Sequence, residues 1–495
     1  MYEKLLKIVT NLGSPRVLLV GDFMLDAYIY GDALRISPEA PVPVLNIQKT
    51  EYSCGGAASV AADMSALGAV ANCLGTIGND HNGQILRKLL TDAGAEVANL
   101  IVIDDRPTIS KQRLIGLAQH RHRQQLIRMD TESAKPLSAE RKEQILDNYI
   151  GLLPKTDIVC LQDYNKGLLS NSTCTEMIKL ASQAGKKVLV DPALTSDYSK
   201  YANSSLITPN RKEASEAVGF EINDTDTAEK AATVLMEKLN LSAVVITLDK
   251  QGAYLKTKEI SEIIPTRVRN VYDVSGAGDM VLSTLATALA AGCDYRTAVQ
   301  LCNITGGLEV ENFGAVPVTI EEIINEIVNQ NRAKIGKIQQ VDSLVNQLNW
   351  HRKQKHKIVF TNGCFDVIHS GHIEFLKFCK SQGDIVVMGL NSDGSVKTIK
   401  GPERPINKQA DRAAVLAALE SVDYITIFDE PDPLKLIKKI KPDVLVKGKD
   451  WADKGVVGAE FVESAGGKVV LADLVEGKSS TATINKIKEL EKNSQ

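Results

Sequence analysis

The sequence lacks a Cys-x-x-Cys pair, a long apolar run, an excess of either charge and a Gly-x-Gly-x-x-Gly fingerprint, and each absence narrows what the chain can be. Its eight cysteines (Cys54, Cys73, Cys160, Cys174, Cys293, Cys302, Cys364 and Cys379) are scattered, which excludes a zinc ribbon or a disulfide framework and predicts reduced thiols. No segment reaches the roughly 18 uninterrupted apolar residues of a membrane span. The apolar N-terminal run is broken by Thr10, Asn11 and Pro15 and is no signal peptide, so a cytoplasmic protein without a membrane partner is expected. Lys plus Arg at 58 against Asp plus Glu at 61 leave a net charge of -3, so nothing global draws the chain to nucleic acid and any phosphate site must be local. No strand is followed by the dinucleotide fingerprint and its distal acidic residue, which disfavours a nicotinamide oxidoreductase.

What is present is an ordinary globular composition, 44% apolar and 24% charged, spread over 495 residues. At roughly 100–200 residues per domain that length predicts two to four folding units. Short β-branched runs at 16–22, 157–163, 187–192, 243–249, 357–363, 384–393 and 443–450 read as buried parallel strands. Helical stretches lie between them, such as Ala57 to Leu67, Thr227 to Leu239 and Ala410 to Leu419. This alternation predicts an α/β class with doubly wound sheets, whose ligands gather beyond the carboxyl ends of the strands. Residues 33–56 carry three prolines and period-2 runs, and read as antiparallel strands forming a lid outside the main sheet. The Asn-, Gln-, Lys- and Glu-rich stretch Val318 to Lys357 marks a boundary, giving units 1–330 and 341–495 with 331–340 as linker.

Two segments carry chemistry. In VYDVSGAGDM (271–280), Asp273 and Asp279 flank Gly276, Ala277 and Gly278 just before an apolar helix. Glycines admit a phosphate to the backbone, first-turn N–H groups and the helix dipole favour its charge, and Asp279 at the helix start can accept the proton of an attacking hydroxyl. Taken alone, the same residues also suit a plain glycine turn with an aspartate cap. In KIVFTNGCFDVIHSGHIEFLKFCK (357–380), His369 and His372 share a face at a helix start, after a strand ending at Thr361. Zinc held by Cys364, His369 and His372 is the alternative; it lacks the i,i+4 spacing of the zinc-protease helix and an evident fourth ligand, and no protein-only metal site is predicted.

Residues 1 to about 320 resemble the ribokinase (PfkB) family of sugar kinases, through CGGAASVAADMSALG (from Cys54), TPNRKE (208–213) and DVSGAGD. The resemblance implies a ribokinase-like sheet sandwich with a β lid and Asp279 as catalytic base. The N–H groups of Gly276, Ala277 and Gly278 become the anion hole, and Asn210 and Glu213, with Asp273, organise ATP and Mg²⁺. Gly55 and Gly56 let the sugar approach, with Asp22 and Asp26 on its hydroxyls. Ser59 and Met280 depart from the family's usual Asn and small residue. A sugar already bearing a phosphate needs cations, for which Arg106, Lys111 and Arg128 are the candidates among six basic residues of 106–130.

Residues 340–495 resemble the cytidylyltransferase-like nucleotidyltransferases, through His369, Gly371 and His372 and the segments 389–406, 444–451 and 477–484. That implies a Rossmann-like domain in which Thr361, Asn362, Gly363, Phe365, Lys397, Arg404, Lys447, Asp450, Ser479, Ser480 and Thr481 surround a nucleoside triphosphate. Lys449 and Trp451 depart from the expected Gly and Tyr. GKSS is no Walker A loop, because Ala472 replaces its first glycine.

Joined in this order, the halves are similar to the bifunctional heptose kinase and adenylyltransferase family of Gram-negative bacteria. The resemblance implies phosphorylation of a heptose 7-phosphate by ATP, then coupling of the 1-phosphate to AMP to give ADP-heptose for lipopolysaccharide core. It also implies a separate phosphatase between the steps. The proline-punctuated lid itself suggests that the kinase units pair in a homodimer, since an exposed strand edge of that kind tends to be covered. The rivals are another sugar phosphate, CTP in place of ATP, or one domain acting only as a binding or regulatory module.

Overall fold

The computed structural model describes residues 2–117, 124–267, 276–311, 316–452 and 454–473. The chain divides into two compact units, Met1–Ile327 and Val328–Gln495. No helix among the described residues is long and apolar enough to cross a membrane.

The first unit contains β1 (Arg16–Gly21), β2 (Phe23–Ile36), β3 (Pro43–Gly56), β4 (Val70–Gly78), β5 (Glu96–Ile103), β6 (Ile109–Gly116) and β7 (Gln124–Thr131). It continues with β8 (Ile158–Gln162), β9 (Lys187–Asp191), β10 (Leu206–Ile207), β11 (Ala243–Thr247), β12 (Ala253–Thr257) and β13 (Ser261–Ile264). Nine strands form one sheet in the order β13-β12-β11-β10-β9-β8-β1-β4-β5. It is parallel from β11 through β5, and antiparallel where β12 and β13 close the other edge. Alternate residues explain the packing: Leu18, Val20, Val159, Leu161, Val188, Val190, Val244 and Ile246 enter one hydrophobic cluster with the covering helices. Each such side chain taken from water contributes about 1.5–3 kcal/mol before conformational entropy is charged against it.

The proline-rich segment pairs antiparallel with its predecessor, Phe23 opposite Gly56 and Ile36 opposite Pro43. With β6 and β7 it makes a separate four-stranded sheet, β3-β2-β6-β7. The lid is therefore wider than the sequence suggested and begins at Phe23.

The second unit has β14 (Ile358–Gly363), β15 (Ile385–Asn391), β16 (Tyr424–Phe428), β17 (Val444–Gly448) and β18 (Lys468–Ala472), in the parallel order β16-β15-β14-β17-β18. Successive residues go to opposite faces: Ile358 and Phe360 join one buried cluster, Val359 another. That two-sided burial is why these strands read as continuous apolar runs. Within 331–340, Lys337–Gln339 is hydrogen-bonded to Ile425, with Ile425 N–H on the Lys337 carbonyl at 2.7 Å and Gln339 N–H on the Ile425 carbonyl at 2.8 Å.

Candidate active sites

In the first unit, polar residues gather where β1, β8 and β9 end. Gly276 caps the helix Ala277–Ala290 with φ 95°, a left-handed backbone cheap only for glycine, so the first-turn N–H groups face outward. Gly276, Gly278 and Asp279 line a cavity of about 560 Å³ together with Asn210 and Glu213. Asp279 is buried, and its Oδ1 accepts from Gln162 Nε2 at 2.9 Å and Tyr164 Oη at 3.0 Å. Burial pushes its carboxyl up to about 7, while the Tyr164 hydrogen bond and the Lys111 charge pull down and Asp26 pushes up. A carboxyl with that affinity is suited to take a hydroxyl proton near neutrality.

Asn210 and Glu213 satisfy each other across a helix start: Asn210 Oδ1 accepts the Glu213 N–H at 3.0 Å, and Glu213 Oε2 accepts the Asn210 N–H at 2.8 Å. Burial raises the Glu213 carboxyl against those bonds. Glu213 lines the cavity and its Oε1 accepts no hydrogen bond from the described residues, so it is a hard donor that suits water around Mg²⁺. Asp273 lies outside the described residues.

Gly55 brings β3 against the Asp26 carboxylate and Gly56 against the main chain at Asp22. A Cβ at Gly55 would lie 3.0 Å from the Asp26 carboxyl carbon, and one at Gly56, where φ is 54°, would lie 2.8 Å from the Asp22 carbonyl oxygen. Asp26 is buried and paired with Arg113 at 3.1 Å. Burial lifts Asp26 above the usual carboxylate range although Arg113 opposes it. Asp22, pushed up to about 6 by burial and by Asp163, spends Oδ2 on the main-chain N–H groups of Tyr164 (3.0 Å) and Lys166 (3.1 Å). It shapes the turn after β8 as well as facing the site.

The cationic candidates separate. Lys111 sits with its ammonium 5.1 Å from the centre of the Tyr164 ring. Arg106 is turned inward, its Nη2 donating to the carbonyls of Ser133, Lys135 and Lys166 at 2.7–3.1 Å, and Arg128 lies exposed on β7 bonded to Asp130. Both guanidiniums, the candidates for a sugar phosphate, are thus engaged by protein groups, whereas Arg113, not singled out from the sequence, pairs with Asp26. The departures Ser59 and Met280 are both buried in helices, and Met280 sulfur accepts from Ser283 and Thr284, so neither disturbs the main-chain donors at Gly276 to Gly278.

In the second unit, His369 caps the helix Ser370–Ser381 and its ring stacks on His372, centroids 4.0 Å apart. His369 N–H donates to His372 Nδ1 at 3.3 Å, which assigns the proton of a neutral His372 to Nε2. Burial and the charges of His369 and Lys400 hold His372 down to about 4, so it is neutral at pH 7 with that N–H as its donor. Phe365, at φ 45°, packs its ring 5.0 Å from His372, and a Cβ on Gly363 would strike that ring at 2.9 Å. Lys447 donates to the Asn362 carbonyl at 3.2 Å and lies over Trp451; burial lowers its ammonium to about 8. The hydroxyl of Thr361 and the side-chain carbonyl of Asn362 are buried without a hydrogen-bond partner among the described residues. Arg404 is held by Asp366 at 2.5 Å. Lys397 and Asp450 are exposed. Ser479, Ser480 and Thr481 lie outside the described residues. Among the described residues no three His, Cys, Asp or Glu converge as metal ligands.

The pfkB family carbohydrate kinase profile matches residues 14–322, and the cytidylyltransferase-like profile matches 360–472. Bifunctional protein HldE of Sulfurimonas denitrificans is 40% identical over 479 residues, 96% of this chain and 98% of that protein. Bifunctional protein HldE of Campylobacter fetus subsp. fetus is 42% identical over 472 residues, 95% and 99% of the two chains. This chain belongs to the HldE family. It is an enzyme with two activities, a sugar kinase and a nucleotidyltransferase in that order. Solved structures similar to the first unit share its fold. Phosphofructokinase-2 from Escherichia coli with substrates and products has a TM-score of 0.54 and 20% identity, covering 64% of this chain and 100% of its own. Ribokinase of Arabidopsis thaliana with ribose and ATP has 0.50 and 18%, covering 63% and 99%.

Several residues of this HldE family member escaped sequence reasoning. Gln162, Asp163, Tyr164 and Asp191 end β8 and β9, where acidic and amide residues after apolar runs were a usable signal. Asp163 is bound by the buried Lys200 at 2.6 Å and by Tyr201 at 2.9 Å. Arg412, almost wholly buried, donates to the carbonyls of Cys364 and Asn391 and to Asp393, tying the turn after β14 to the end of β15. Nothing in its helical setting marked it.

Proposed function

We propose that the first unit transfers the γ-phosphoryl group of ATP to the anomeric hydroxyl of D-glycero-β-D-manno-heptose 7-phosphate. The second then joins heptose 1-phosphate to AMP from ATP, giving ADP-heptose and diphosphate for lipopolysaccharide core. The observation that carries the first half is Asp279, buried near neutral affinity at the mouth of an outward-facing helix N-terminus. Asp279 takes the hydroxyl proton, and the N–H groups of Gly276, Ala277 and Gly278 hold the charge of the transferring group. Asn210, Glu213 and Asp273 would hold Mg²⁺ through water, which neutralises phosphate charge when bound. In the second half, His369 and His372, with Lys447, Arg404, Lys397 and Ser479, Ser480 and Thr481, orient the triphosphate for in-line attack by the sugar phosphate at the α-phosphorus. The 7-phosphate leaves in a separate phosphatase between the steps, in the cytoplasm, where free thiols and ATP coexist.

Mass spectrometry after incubating the protein with heptose 7-phosphate, a phosphatase and ATP tests this, with ADP-heptose as the expected product. A different preferred sugar phosphate, or a CDP-sugar made from CTP, would replace the assignment. The lid is proposed to pair two chains, since it exposes Leu34 and Ile36 on β2 and Ile47 on β3, an edge strand of its four-stranded sheet. Sedimentation of the full chain should give a dimer; a monomer at micromolar concentration removes that proposal.

A further inference from the structure

The catalytic carboxylate is held asymmetrically. Both of its neighbours donate to Oδ1, Gln162 at 2.9 Å and Tyr164 at 3.0 Å, whereas Oδ2 receives no hydrogen bond from the described residues. Gln162 uses its other amide hydrogen on Asp191 Oδ2 at 2.9 Å, and Thr208 donates to Asp191 Oδ1 at 2.7 Å. With both N–H groups aimed at carboxylates, the amide has one orientation; a flip would set its oxygen against two acceptors. The buried Gln162 Oε1, without a partner among the described residues, is the cost of that orientation.

Tyr164 is fixed from three sides. Asp22 Oδ2 takes its main-chain N–H, Lys111 from the lid strand β6 lies over its ring, and its hydroxyl ends on Asp279. Burial and the charges of Asp279 and Asp191 push the phenol well above its ordinary range, so it remains a donor.

We propose that Tyr164, with Gln162, is a positioning residue that pins one oxygen of Asp279 and reserves the other for the sugar hydroxyl. This rests on Asp279 as the base of the kinase reaction. The groups that act on Asp279 are Tyr164 beyond β8 and Lys111 and Asp26 on the lid, while the Asp279 charge in turn raises the carboxyls of Asp191 on β9 and Asp63 on the helix Ala57–Ala66. Removing the phenolic hydroxyl deletes a contact that favours the ionised carboxylate, so the base becomes harder to ionise and freer to turn.

Tyr164→Phe keeps the ring and its contact with Lys111. In the full chain, wild-type kinase kcat should rise with pH through an acid limb near 7. In the variant that limb should move to higher pH by about one unit, and kcat at pH 7 should fall about 10-fold, recovering in part at pH 9. KM for ATP and diphosphate release by the second unit should stay within about twofold, which reports a folded chain. Gln162→Met, an apolar side chain of similar length, should shift the limb in the same direction, and it carries the test if Tyr164→Phe does not fold. A wild-type profile in both variants, or a lower kcat with an unmoved limb, overturns the proposal. Asp279→Asn, assayed alongside, separates the two failures: if it phosphorylates sugar normally, the base itself is misassigned.

Discussion

Asp279→Asn should lower sugar phosphorylation by about 10²–10⁴ or more while leaving diphosphate release from ATP and sugar 1-phosphate unchanged. The amide matches the carboxylate in shape, so the cavity and the helix start are retained, but it has no basic oxygen to take the hydroxyl proton. It also places an N–H donor where Gln162 and Tyr164 already donate, so one of those contacts must break or the amide must turn its nitrogen to the cavity. Because the native carboxyl is held near 7 by burial, replacing it with a neutral group removes a desolvation cost, and the folded unit should be no less stable above that pH. The sign follows from the raised affinity: ionising Asp279 in the folded chain costs more than in the unfolded one, so it weakens stability as pH climbs from about 4 towards 7. Parallel assays of ADP and of diphosphate on the same preparation decide the matter; loss of both activities in a folded chain would contradict two separate sites.

His372→Ala should do the reverse, cutting adenylyl transfer by about 10²–10³ and sparing phosphorylation. The imidazole presents Nε2–H because its Nδ1 is committed to the His369 N–H, and alanine removes that donor together with the stack on His369. With the His372 ring already neutral above about pH 4, titration of His372 should contribute no limb near neutrality to the wild-type transferase rate. His372→Gln, which restores an N–H donor of comparable reach, should recover part of the lost rate. A His372→Ala protein with normal transfer would move the chemistry to other residues.

Much of this was legible beforehand because buried parallel strands are written as β-branched runs whose last residue is polar. β1, β8, β9, β11, β14, β15 and β17 fall where those runs lie, and the kinase and transferase motifs sit at their ends. β10 was not legible, since two residues carry no period. The lid cations were not either. Lys111 and Arg113, two apart on β6, share a face, and pairing sets them opposite Asp26 and Tyr28. Arg106 precedes the strand and turns to main-chain carbonyls. Six basic residues look alike until register is known. Arg412 acts through main-chain and carboxylate partners far away in sequence, and a single chain offers no signal for that.

The edge strand β16 has β15 on one side and the short segment Lys337–Gln339 on the other. A separately produced transferase fragment cut to begin at 341 would lose both main-chain bonds at Ile425 and bare that edge to other molecules, the circumstance in which sheets add foreign strands and precipitate. A fragment started ahead of Lys337 keeps its own guard strand, so where the gene is cut decides whether the piece stays in solution.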